Sequence, residues 1–135
     1  MVIYFNLVSM IKRNYYKKIW ADFDKEKHLV LVSGPRQAGK TTFAKDIALQ
    51  EPVSLYFNYD IPGNKIKILQ NPTFFEEVDR EKGKLPLIIL DEIHKYRNWK
   101  NYLKGVYDGY SDEFRFLATG SGRLELSRKK GNSLA

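Results

Sequence analysis

The chain has 135 residues, 43% of them hydrophobic, and 23 Lys and Arg against 16 Asp and Glu give it a net charge of +7. That length is enough for one domain with a real core and too short for two. The lack of cysteine excludes disulfides and cysteine-bound zinc, two histidines argue against a metal cage, and no apolar run is long enough to span a bilayer.

Residues 1–10 are broken by Asn6 and Ser9 with no basic residue ahead of them, which argues against a signal peptide and makes a cytoplasmic protein the default. Over residues 7–27, Val8, Ile11, Tyr15 and Ile19 fall on one side of a helical projection, with Lys12, Arg13, Lys17 and Lys18 on the other. Tyr16, Trp20 and Phe23 widen the apolar face, so the spacing predicts an amphipathic helix covering the edge of the sheet. A nucleic-acid surface of basic residues interleaved with aromatics is the alternative.

Leu29-Val30-Leu31-Val32 is apolar without alternation, as expected of a strand buried on both faces of a parallel sheet in an α/β fold. Gly34-Pro35-Arg36-Gln37-Ala38-Gly39-Lys40-Thr41 then fits the phosphate-loop pattern, and Thr42 extends it. The glycines let backbone N–H groups approach phosphate oxygens, Lys40 brings a point charge to the β- and γ-phosphates, and the Thr41 hydroxyl can ligate Mg²⁺. Phe43, Ala44, Ile47 and Ala48 follow at helical spacing, so a helix N-terminus aims its dipole at the same anion.

Pro52 ends that helix, and residues 53–58 read as a second strand. Residues 60–63 read as a turn and 66–69 give no assignable element. Thr73 and Glu76 stand at capping-box spacing, which predicts a short helix over 74–82 closed by Gly83.

Leu87-Ile88-Ile89-Leu90 is the second buried-strand run, and it ends in Asp91-Glu92. At the carboxyl end of a strand in the same parallel sheet, this pair would lie beside the phosphate loop. Asp91 would complete the Mg²⁺ shell opposite Thr41, and Glu92 would act as general base on the attacking water. His94 reads as an exposed loop residue with a structural or contact role. Trp99, Leu103, Val106, Tyr107 and Tyr110 mark a packing helix, and 114–118 a last strand running into Thr119-Gly120-Ser121-Gly122. Thr119 or Ser121 would hydrogen-bond the γ-phosphate or the water, a plain strand-to-helix turn being the alternative. Arg123 is the nearest cation.

The segments GPRQAGKTT, LIILDEIHKYRNWKNYLKGVYD and FLATGSGRLEL together resemble the AAA-type ATPase domain of a prokaryotic group whose members usually carry a C-terminal domain of unknown function. The resemblance implies a P-loop NTPase three-layer sandwich with a mostly parallel sheet, ATP and Mg²⁺ as cofactors, and a ring-forming habit that makes a homo-oligomer plausible. It casts Lys40 and Thr41 as nucleotide and Mg²⁺ ligands, Asp91 as the Mg²⁺-associated acid, Glu92 as the hydrolytic base and the 119–121 segment as a polar sensor. Arg97 departs from the group, which often has Pro there.

In the group, a further central strand and the C-terminal domain follow a segment like GNSLA, whereas this sequence stops at Ala135. The expectation is therefore a sheet of about four strands (29–33, 53–58, 87–91, 114–119), incomplete at its C-terminal end, with the phosphate-loop strand at an open edge that invites pairing. The functions in view are ATP binding with Mg²⁺-dependent hydrolysis, nucleotide binding without turnover, and a small-molecule kinase. A fourth, association with nucleic acid or protein through the basic ends, rests on six basic against three acidic residues over 1–27 and four against one over 123–135.

Overall fold

The computed structural model describes residues 2–6, 18, 20–21, 29–35, 39–78 and 84–121. Five parallel strands form one sheet: β1 (Val2–Asn6), β2 (Leu29–Ser33), β3 (Ser54–Asn58), β4 (Leu87–Asp91) and β5 (Arg115–Gly120), in the spatial order β1-β2-β5-β4-β3. The helices are α1 (Lys40–Gln50), α2 (Pro62–Gln70) and α3 (Trp99–Tyr110), with 3-10 turns at Phe74–Glu77 and Ile93–Lys95.

The α/β class and the parallel sheet agree with the sequence reading, and the open edge does not. Val2–Asn6 pairs in register with Leu29–Ser33, so β2 has neighbours on both sides and the sheet has five strands rather than four. The sequence reading assigned no element to residues 2–6, and five residues become a strand once a neighbouring strand offers backbone partners. That helix, 7–27, lies outside the described residues except for Lys18, Trp20 and Ala21, which are helical.

The uninterrupted apolar runs become the central strands because helices cover both faces of the sheet. On one face Val30, Val32, Ile89 and Leu117 meet Phe43, Ala44 and Ile47 of α1, together with Trp20. On the other, Leu29, Leu31, Ile88, Leu90, Phe116 and Ala118 meet Tyr102, Leu103 and Val106 of α3, Ile68 of α2 and the Phe74-Phe75 pair. Phe75, fully buried, stands edge-on to Phe114 and Tyr110 at 5.1 Å each and to Phe116 at 5.4 Å. Truncating such a ring to alanine costs about 3–5 kcal/mol.

Two local expectations fail for physical reasons. Residues 62–70 are helical, not turn and unassigned chain: Pro62 sits in the first turn with its fixed φ, while only Ile68 is buried, so no apolar stripe announces the helix. Residues 74–77 form one 3-10 turn with no side-chain cap from Thr73, and Val78 is already extended; the rest of the expected 74–82 helix and its Gly83 end lie outside the described residues. The buried Phe74-Phe75 pair, rather than capping, holds that segment.

Candidate functional site

All five strands point the same way, so the polar residues that end β4 and β5 arrive beside the loop that follows β2. Of that loop, Gly34, Pro35, Gly39, Lys40, Thr41 and Thr42 are described; Arg36, Gln37 and Ala38 lie outside the described residues. Gly39 adopts φ 95°, a left-handed conformation that a side chain disfavours, and its carbonyl accepts the Phe43 N–H at 2.8 Å to start α1. No acidic residue occupies the first turn of α1, so nothing there competes for its N-terminal amides. Lys40, buried to 4% exposure, donates Nζ to the carbonyls of Gly34 (2.8 Å) and Pro35 (2.7 Å), spanning the loop from its helical end to its strand end.

Asp91 is fully buried at the end of β4, and three hydroxyls converge on its carboxylate. Thr41 Oγ1 donates to Oδ2 at 2.8 Å, the Tyr56 phenol donates to the same oxygen, and Thr119 Oγ1 donates to Oδ1. Thr119 also accepts the Glu92 N–H at 3.1 Å, so one hydroxyl of β5 holds both acidic residues. Tyr56 owes its place to register: Asn58 lies opposite Asp91 and Tyr56 opposite Ile89, on the same face of the sheet, and the long ring reaches diagonally to the carboxylate. Asn58 Nδ2 donates to the Tyr56 oxygen at 3.3 Å, while burial, followed by the bond to Asp91, raises the phenol's pKa well above its ordinary value.

Glu92 turns away from Asp91. Its φ of 59° is the single positive value at a non-glycine residue among those described, a strained geometry of the kind found where a chain must aim a particular side chain. Its carboxylate lies 3.5 Å from Lys95 Nζ and 3.8 Å from His94 Nε2, and Lys95 in turn bonds Asp60 at 2.6 Å. His94 is half-buried rather than exposed, because its Nδ1 accepts the Ser121 N–H at 3.2 Å. Burial, opposed in part by the Glu92 charge, lowers its pKa.

The structure thus brings Lys40, Thr41, Asp91, Glu92, Thr119 and the Ser121 amide into one constellation at the carboxyl end of the sheet. Arg97 is exposed on the turn entering α3, and Arg123 lies outside the described residues. Sequence reasoning missed Tyr56, and it assigned His94 no link to the acidic pair. A hydroxyl-bearing ring two residues before the end of a strand was the available signal for Tyr56.

The donors Thr41 Oγ1 and Asp91 carboxylate suit Mg²⁺, a hard cation usually held by one or two carboxylates plus phosphate oxygens and water. Among the described residues no group of three or more His, Cys, Asp and Glu side chains forms a metal cage, and no helix is long and apolar enough to cross a membrane. A family model described as an AAA domain matches residues 26–135. No solved structure matches the chain.

Proposed function

Because the chain belongs to the AAA domain family, and is on that ground a nucleotide-binding module of ATPase type, we propose that it hydrolyses ATP to ADP and phosphate with Mg²⁺ and water. The observation that carries this reading is the meeting of Thr41, Asp91 and Thr119, which places the phosphate loop, an acidic strand end and a polar strand end around one carboxylate.

In this account the amides of the phosphate loop and of the first turn of α1, starting at Gly39, receive the phosphates, and Lys40 exchanges its two carbonyl partners for phosphate oxygens. Thr41 and Asp91 would hold Mg²⁺, which neutralises charge on the β- and γ-phosphates. Glu92, set beside Asp91 and aimed elsewhere, orients the attacking water and takes its proton. Thr119 ties the two acids together, which supports a role for the Thr119–Ser121 end in contacting the γ-phosphate or the water.

ATP turnover in the wild type and in Glu92→Gln tests the base. The expected outcome is a loss of about 100-fold or more in rate with nucleotide affinity kept; equal rates would sink the assignment. Tight nucleotide binding without wild-type turnover would favour a binding module in its place. Two further proposals concern partners. Self-association belongs to the reading through the ring-forming habit of AAA domains and is checked by sedimentation with and without ATP. Nucleic-acid binding through the basic ends requires an affinity that falls with salt.

A further inference from the structure

Resting on the hydrolytic reading of Glu92, we propose that His94 is a positioning residue that ties the end of β5 to the Glu92 carboxylate, so that the polar strand end and the base move as one unit. The 3-10 turn carrying His94 begins one residue after Glu92 and is pinned by Ile93, which is fully buried. Its two ring nitrogens face different elements: Nδ1 accepts the Ser121 N–H at 3.2 Å, and Nε2 stands 3.8 Å from Glu92 Oε2.

The first contact decides the second. A nitrogen that accepts an amide hydrogen carries a lone pair, so in the neutral ring the proton sits on Nε2, the atom turned toward the carboxylate. At 3.8 Å that N–H orients the carboxylate without a full hydrogen bond. A neutral donor in this position aims Glu92 yet leaves its negative charge available for a proton, which the cationic Lys95 on the same oxygen does not do. Thr119 makes a second tie by accepting the Glu92 N–H. The base is therefore held twice from the carboxyl end of β5, through its backbone by Thr119 and through its side chain by His94 on Ser121, the residue after the strand. A displacement of Ser121 by a phosphate oxygen would reach the carboxylate through one rigid ring.

The test pairs kinetics with nitrogen NMR on the full chain, whose two histidines make the imidazole spectrum simple. His94→Ala is expected to lower kcat about tenfold or more with the Kd for ATP unchanged. His94→Gln, whose amide can offer an N–H near the Nε2 position, should recover much of that loss, and His94→Asn, which can only satisfy Ser121, should not. Long-range proton–nitrogen spectra should show the Nε2–H tautomer, with the Nε2 resonance shifting in Glu92→Gln. Wild-type turnover in His94→Ala, equal behaviour of the Gln and Asn variants, or an Nδ1–H tautomer would overturn the proposal. If the wild type itself turns over no ATP, the hydrolytic reading fails, and the NMR arm alone decides the tie: a Glu92→Gln shift at Nε2 upholds it and no shift overturns it.

Discussion

Two buried carboxylates stand at opposite ends of the same sheet, and they are satisfied in opposite ways. At the amino end, Glu51 accepts from the Arg115 guanidinium and from the Trp20 indole N–H at 3.2 Å, with Lys84 Nζ at 3.3 Å. Arg115 also donates to the Leu85 carbonyl, so one ion pair joins the end of α1, the start of β5 and the segment before β4. At the carboxyl end, Asp91 receives three hydroxyls, and among the described residues no cation pairs with it. A guanidinium cancels the charge that it holds, whereas hydroxyls hold a carboxylate in place without a counter-charge. The first arrangement locks a fold, and the second is the one that the proposed function uses for Mg²⁺.

Breaking the locked end should have the largest effect on stability. Arg115→Met leaves a carboxylate whose side chain is only 2% exposed with Lys84 and the Trp20 N–H alone, and unfolding by denaturant should show a loss of about 3 kcal/mol. Adding Glu51→Leu should restore most of it, since an apolar pair replaces the ion pair. At the site end, Thr119→Val removes a hydroxyl that serves both acids and leaves the Glu92 N–H unpaired, for a loss of about 1–3 kcal/mol in the same measurement. Tyr56→Phe should cost less, about 1 kcal/mol, because Thr41 still donates to the same oxygen. Difference titration of wild type against Tyr56→Phe isolates the Tyr56 phenol among the several raised tyrosines, and in Asp91→Asn its pKa should fall part of the way toward the ordinary value, burial keeping the rest of the shift.

Acid should separate the two ends with the smallest effects. The pKa of His94 is lowered in the folded state, mainly by burial, so the unfolded chain binds more protons below the ordinary value of 6.5. Stability is complete above that value and falls as the pH drops through it toward the folded pKa. For Glu51, burial pushes the carboxyl up, but Arg115, Trp20 and Lys84 together outweigh it and the net shift is downward. Its contribution is present above 4.5 and disappears as the pH falls below that value through the folded pKa. Stability curves of His94→Asn should lack the upper step, and those of the Glu51→Leu, Arg115→Met double variant the lower one.

How much of this was readable in the sequence follows from the range over which each signal acts. The phosphate loop, the Asp91-Glu92 pair and the 99–110 helix are encoded in consecutive residues, and the two uninterrupted apolar runs announced parallel strands covered on both faces. What stayed hidden depends on partners far along the chain. Val2–Asn6 carries four strand-favouring residues, but a stretch this short becomes a strand only because β2 offers it an edge 27 residues later. The helix at 62–70 buries one apolar side chain and exposes Ile66 and Leu69, so its periodicity carries little signal. Tyr56 enters the site through the pairing of β3 with β4, and His94 through the Ser121 amide 27 residues away.

The proposal that Asp91 helps to hold Mg²⁺ is tested most directly by titrating an ATP analogue with and without Mg²⁺ into the wild type and Asp91→Asn. The wild type should bind more tightly with Mg²⁺, and the variant should lose that gain by about tenfold or more while still binding the metal-free nucleotide through Lys40 and the loop. An equal gain from Mg²⁺ in both proteins would contradict the account.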